Sequence, residues 1–160
     1  MADIDDTKMT KRPAVSLVLF LVLVVGGGLA IGASNLPGGW YAGLTKPWFN
    51  PPNWIFAPAW TVLYVLIAIA GWRTFLRNPA GGAMLVWWAQ LAFNFSWSPV
   101  FFRAHLILAA LCVIAAMFVL IIAFIAVQWR RDRVSALLFV PYAMWVGFAF
   151  SLNTAIYVLN

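Results

Sequence analysis

At 160 residues, 65% of them apolar and only 9% charged, the chain lacks the charge that a water-soluble surface requires, since soluble domains carry about a quarter charged residues. It is expected to be an all-α integral membrane protein, one domain with room for about five spanning helices of roughly 20 residues each. The net charge of +6 does not point to nucleic acid, because the basic residues stand at the ends of apolar runs, where they anchor and orient helices in a lipid bilayer.

Glu is absent, and the acids are Asp3, Asp5, Asp6 and Asp132, all outside the apolar runs. Cys112 is single, which excludes a disulfide within the chain and a thiolate metal site.

Residues 1–13 read as a polar tail ending in Lys8, Lys11, Arg12 and Pro13. The first span is expected over residues 14–34. A basic stretch before an apolar core also suits a secretory signal peptide, but a run of about 20 residues is long for a signal core. Gly26, Gly27, Gly28, Ala30, Gly32 and Ala33 offer a small-residue face for close helix packing.

Residues 40–60 read WYAGLTKPWFNPPNWIFAPAW, with prolines at 47, 51, 52 and 58. Each proline fixes φ and removes a backbone donor, so residues 46–53 are expected to form an ordered loop. Residues 40–53 as a whole read as a stiff lid, in which Trp40 and Trp48 supply packing and Trp54 an interface anchor.

Span two is expected over residues 54–75 with Pro58 in its first turn, where the missing donor is tolerated. Arg73 and Arg77 close it, and the tight turn Asn78-Pro79-Ala80-Gly81-Gly82 follows. Span three, residues 83–102, carries Gln90, Asn94, Ser96 and Ser98 before Pro99. Span four, residues 106–128, is almost purely aliphatic. Span five, residues 134–159, contains Pro141, which is expected to kink it. No soluble domain is expected beyond it, so the five spans make one domain over residues 14–160.

Five spans place Lys8, Lys11, Arg12, Arg73, Arg77, Arg130, Arg131 and Arg133 on one side, against Lys46 and Arg103 on the other. The excess of positive charge assigns the first side, with the N-terminus, to the cytoplasm. The lid and the C-terminus are then expected on the opposite side.

No span holds a carboxylate, which removes paired acid–base chemistry and carboxylate proton relays. His105 stands alone at a boundary and lacks metal-binding partners. Met84, Met117 and Met144 read as core filler. What remains is aromatic and neutral. Gln90, Asn94, Trp97, Ser98 and Phe101 share one helical face, as do Phe56, Trp60 and Tyr64, and Tyr142, Trp145, Ala149 and Leu152. Periodicity leaves two readings of Asn94 open, a ligand contact or a bond between helices worth about 0.6 kcal/mol. Trp54, Trp72 and Trp129 fall at span ends and suit an interfacial belt. Trp60, Trp97 and Trp145 fall inside spans, and a cleft so lined suits a flat apolar ligand.

WYAGLTKPWFNPPNWIFAPAWTVLY (residues 40–64), AQLAFNFSWSPVFF (89–102) and PYAMWVGFAFSLN (141–153) resemble the TspO family, the tryptophan-rich sensory proteins. Their animal relatives are the translocator proteins, or peripheral-type benzodiazepine receptors. The resemblance covers nearly all of the chain after the tail. It implies five membrane helices, a first loop over a ligand pocket, and a homodimer. Ala89, Ala92 and Ser96 offer a small-residue face for such a dimer, or for packing inside one chain.

The resemblance also implies binding of protoporphyrin IX, haem or related tetrapyrroles as ligands, with no obligatory cofactor. By motif position it assigns ligand contacts to Tyr41, Pro51, Trp60, Asn94, Trp97, Ser98, Trp145, Ala149 and Leu152. Trp60 and Asn94 match positions that hold a ligand carbonyl, and Trp60 and Trp145 match the pair linked to light-dependent porphyrin breakdown in some bacterial members. The chain departs from the animal cholesterol motif, because Tyr157 is followed by Val158, Leu159 and Asn160 with no basic residue. Trp97 stands where some relatives carry Phe. The acidic start at Asp3, Asp5 and Asp6 has no assigned role.

The function expected is a membrane receptor or sensor that adjusts tetrapyrrole flux or a stress response. A porphyrin transporter and a light-dependent porphyrin-degrading protein are the alternatives. No protein-borne hydrolytic or redox catalysis is expected.

Overall fold

The structure, a computed structural model, describes residues 6–160, with side chains from Pro13 onward. Asp3, Asp5 and the charged groups of Asp6, Lys8, Lys11 and Arg12 lie outside that description, and with them the N-terminal share of the charge asymmetry. All regular structure among the described residues is helical.

Helix α1 (Asp6–Leu21) runs through Pro13, so the part of the expected tail from Asp6 onward is helical. It continues through a π-helical turn (Val22–Gly26) into α2 (Gly27–Ser34). The small residues have the predicted use at Gly28, where a Cβ would overlap the Tyr64 ring. The absence of a side chain there lets the first helix lie directly on the next one. Trp72 fastens the same pair at the other end, donating from Nε1 to the Pro13 carbonyl at 3.0 Å and to Ser16 Oγ at 3.1 Å. The indole N–H of Trp72, expected at the interfacial belt, is thus bonded within the protein.

A short helix, α3 (Gly39–Gly43), opens the first loop, and the proline-rich segment after it is irregular up to a 3-10 turn at Asn53–Ile55. The chain then enters α4 (Phe56–Arg77), turns at Asn78 and Gly81, and continues as α5 (Gly82–Ser98). Pro99 begins a π-helical turn (Pro99–Arg103) that ends α5. The left-handed backbone of His105, φ 57°, reverses the chain into α6 (Ile107–Arg131). His is among the few non-glycine residues enriched in that region. Finally α7 (Arg133–Leu159) passes through Pro141 as one uninterrupted helix.

The core is apolar but takes in uncharged amides, while large apolar side chains face outward, as lipid rather than water requires. Gln90, Asn94, Gln128 and Asn153 are buried, while Leu85, Val119, Leu137 and Met144 are exposed. Met84 and Met117 fill the core as expected, but Met144 is 72% exposed and corrects that reading. Among the described residues, four stretches are long and apolar enough to cross a membrane: Pro13–Ser34, Asn53–Arg77, Ile107–Arg131 and Arg133–Leu159. The stretch after the Asn78 turn, Gly82–Arg103, is not among them, and it carries Gln90, Asn94, Ser96 and Ser98, which lower its hydropathy.

Close packing depends on a few exact fits. Trp87 is fully buried, its Nε1 donates to the Ile67 carbonyl at 3.1 Å, and a Cβ on Gly71 would overlap its indole. At the Arg77 end of α4, Asp132 accepts two bonds from Arg73, at 3.0 and 2.9 Å, and one from Ser135 at 2.7 Å. Arg77 approaches the same carboxylate at 3.3 Å. The turn after α4 and the turn between α6 and α7 therefore share one end of the protein.

Candidate functional site

The opposite end is built from the first loop. Trp40 stacks on His105 with centroids 4.2 Å apart and stands edge-on to Phe101 at 5.6 Å. Tyr41, buried, meets Phe101 and Phe102 edge-on and donates its hydroxyl to Asn50 Oδ1 at 3.2 Å. Burial raises its phenol pKa, with the Asn50 bond acting in the opposite direction. Phe49 reaches Phe148 on α7, and Asn160 pairs in both directions with the Thr45 backbone at 3.0 Å.

Trp48 does not join this packing. It is 95% exposed and touches Phe49 edge-on, which corrects its assignment as lid packing. Trp54 is 73% exposed, in keeping with an anchor role.

Beneath the loop, three helices contribute one aromatic and amide cluster. Spacing of four along α4 puts Trp60 on Tyr64, stacked at 5.4 Å, and Trp60 also stands edge-on to Tyr142 of α7. Phe56 meets Trp145 edge-on at 5.8 Å. From α5, Asn94 Nδ2 donates to the Tyr142 hydroxyl at 2.8 Å, and that hydroxyl donates to Gln90 Oε1 at 3.0 Å. Trp97 lies flat on Phe101 at 5.2 Å and donates from Nε1 to Asn153 Oδ1 at 3.2 Å.

Of the nine expected contacts, Trp60, Trp145 and Ala149 belong to the main core, Tyr41 and Leu152 to a smaller one beneath the loop, and Trp97 packs against both. Asn94 joins the main core through its bond to Tyr142. Pro51 and Trp145 line an open cleft of about 430 Å³ with Pro141, Met144 and Phe148. Ser98 is half-buried on α5, and its hydroxyl has no hydrogen bond among the described residues.

Three polar atoms of this cluster are buried and unpaired among the described residues: Asn94 Oδ1, Gln90 Nε2 and Trp145 Nε1. A buried polar group without a partner costs about 1–3 kcal/mol, so three within one cluster is an arrangement that favours a hydrogen-bonding guest. Their surroundings are aromatic and carry no charge, which suits a flat apolar molecule with a small polar end.

Sequence reading found the faces of α4, α5 and α7 but missed the fastenings. No sequence signal singles out Asn153 or Asn160, and only the fold reveals that they hold Trp97 and Thr45. For His105 the signal was its isolation, which excluded a metal site without naming Trp40 as its partner.

The family model described as the TspO/MBR family matches residues 15–159. The chain is 38% identical over 145 residues to a tryptophan-rich sensory protein of Cereibacter sphaeroides, covering 91% of this chain and 92% of that one. Protein CrtK of Rhodobacter capsulatus is also 38% identical, over 152 residues, covering 91% and 95%. The translocator protein of Sus scrofa is 34% identical over 124 residues, covering 74% and 73%.

Proposed function

The chain belongs to the TspO/MBR family of multi-pass membrane proteins, and from that premise we propose that it is a receptor for tetrapyrroles, with protoporphyrin IX and haem as the ligand class. The observation that carries this reading is the uncharged aromatic cluster of Trp60, Tyr142 and Trp145 around the unpaired amide oxygen of Asn94. Stacking on the indoles supplies affinity for a flat macrocycle, and the amide and indole N–H groups orient its polar edge. A sensory role agrees with the name of the Cereibacter sphaeroides relative.

In this reading the protein is a five-helix bundle, with Gly82–Arg103 as the fifth crossing, and residues 40–53 act as the lid. The prolines stiffen the lid in advance, so closing over a ligand orders little additional chain. Arg73, Arg77, Arg130, Arg131 and Arg133 place their end of the bundle in the cytoplasm. A homodimer fits the family, with the half-buried Ala89 and Ser96 and the exposed Ala92 as a candidate face.

Purified protein in detergent is expected to lose tryptophan fluorescence saturably on addition of protoporphyrin IX, and Trp60→Ala and Asn94→Ala each to weaken that binding about tenfold. Unchanged affinity in both variants would remove the site assignment. Illumination of the complex with Trp60→Phe and Trp145→Phe tests the light-dependent breakdown reading, which predicts product loss with binding retained.

A further inference from the structure

The charged end of the protein carries more positive charge than its internal contacts use. Asp132 is the only acidic side chain among the residues whose side chains are described, and its oxygens are occupied. Arg73 donates to both at 3.0 and 2.9 Å, Ser135 to one at 2.7 Å, and Arg77 Nε lies 3.3 Å away. Arg77 Nη1 also donates to the Arg131 carbonyl at 3.0 Å, which ties the end of α4 to the turn between α6 and α7. Arg77 is nevertheless half exposed, and its Nη2 has no partner among the described residues. Around it stand Arg130, Arg131 and Arg133, all exposed, whose guanidiniums make no hydrogen bond or ion pair among the described residues. Five arginines against one carboxylate leave four positive charges uncompensated.

Below these arginines the surface is apolar, in rows aligned with them. Residues three or four apart share a helix face. On α6 that spacing joins Val119, Ile122, Ala126 and Arg130, and on α7 it joins Leu137 to Arg133, all of them exposed. Trp129 and Val134, each next to an arginine, are exposed as well. A guanidinium at the head of an apolar row matches the form of a phospholipid, a phosphate above hydrocarbon. The planar fork of arginine fits phosphate oxygens two at a time, and its stem lies along apolar surface.

We propose that this end binds an anionic phospholipid, with the headgroup phosphate on the guanidiniums of Arg77, Arg130, Arg131 and Arg133 and the acyl chains along the rows that end in Arg130 and Arg133. A soluble anion or an acidic protein would meet the arginines but leave rows that run down the spans uncovered. Phosphatidylcholine carries its own cation beside the phosphate, so the patch discriminates by headgroup charge. Asp132 and Arg73 are positioning residues: they hold Arg77 at the turn. The opposite end lacks such a patch, since its cations are Lys46 and Arg103, and Lys46 Nζ already donates to the Ala42 and Leu44 carbonyls.

Native mass spectrometry of the full chain in a neutral detergent tests this, with dioctanoyl phosphatidylglycerol and dioctanoyl phosphatidylcholine as probes. The two share acyl chains and a phosphate diester and differ in net charge. Phosphatidylglycerol is expected to bind at least about tenfold more tightly at low ionic strength, and the preference to shrink in high salt. Arg130→Gln and Arg133→Gln are each expected to weaken phosphatidylglycerol about fivefold and to leave phosphatidylcholine unchanged. Arg133→Lys, which keeps the charge, is expected to retain most of the preference. Both positions are exposed, and an unaltered thermal midpoint without lipid shows that each variant is folded.

Equal binding of the two lipids by the unaltered protein would overturn the proposal. So would a loss of phosphatidylglycerol binding in Lys46→Gln or Arg103→Gln as large as that in Arg133→Gln, since the preference would then report total charge rather than this end. Displacement of phosphatidylglycerol by inorganic phosphate at equal concentration would show a site for a free anion, and the acyl-chain rows would have no part in it. The outcome does not depend on the aromatic pocket, because none of the substituted residues lies in it.

Discussion

At one end of the protein two arginines converge on the buried carboxylate of Asp132. At the other, Trp40 lies on His105, Tyr41 on Phe101, and Asn160 holds the Thr45 backbone. The first end is fastened by charge-assisted bonds, and Arg77 Nη1 adds one to the Arg131 carbonyl at 3.0 Å. Such bonds are short, directional and about twice as strong as neutral ones. The second end is fastened by aromatic faces, whose contacts are broad and individually worth about 0.5–1.5 kcal/mol. That contrast suits the lid role proposed for residues 40–53, in which the loop end opens while the charged end holds.

The largest effect expected from breaking this contrast is at Asp132. Asp132→Ala leaves Arg73 and Arg77 without their acceptor, and is expected to destabilise the protein by about 3 kcal/mol. That is the low end for a broken buried pair, because both arginines still reach water. Thermal unfolding in detergent measures it, and an unchanged midpoint would show that the charged end is no stronger than the aromatic one.

Acid probes the same clasp without mutation. Burial alone would raise the Asp132 pKa, but the bonds from Arg73 and Ser135 and the charges of Arg73 and Arg77 lower it from its ordinary 3.8 to about 2. A carboxylate more acidic when folded than when unfolded contributes stability that is full above about pH 4. That stability is lost as pH falls from about 4 to about 2, some 2 kcal/mol in all. Unfolding midpoints measured between neutral pH and pH 2 are expected to show this acid limb in the unaltered protein and to lose it in Asp132→Asn.

A smaller effect is expected at the loop end. His105→Ala removes the face on which Trp40 rests and is expected to cost about 1 kcal/mol locally. Hydrogen exchange at the amides of Gly39–Gly43 is expected to quicken severalfold while the global midpoint hardly moves, and His105→Phe is expected to restore protection. A fall in the midpoint as large as that of Asp132→Ala would mean that the loop is part of the global fold rather than a separately opening element.

Much of the architecture is legible in the sequence because lipid imposes strict rules. Apolar runs of helical length, prolines at 47, 51 and 52, and basic residues at run ends all state local requirements. The structure places helices and an irregular loop where these features suggest. The polar faces were legible for a related reason: amides such as Gln90 and Asn94 have no stable place against hydrocarbon and turn inward. Motif likeness, rather than periodicity, singled out the nine expected contacts. Other features depend on which residues meet. Nothing near Pro13 announces that Trp72 will bond to its carbonyl, and nothing in the spacing of Trp40 and Trp48 says that one packs and the other is exposed.

Composition and periodicity by themselves determined an all-helical membrane protein whose spans carry no carboxylate, because an unpaired charge or peptide group in hydrocarbon is too unfavourable for any other solution. Tertiary structure alone decided that Tyr142, 48 residues from Asn94, stands between two amides and leaves each half paired. It also decided that Asp132 meets Arg73 across 59 residues. A hydrogen bond depends on position to within a fraction of an ångström, and those positions are fixed only when the helices have packed.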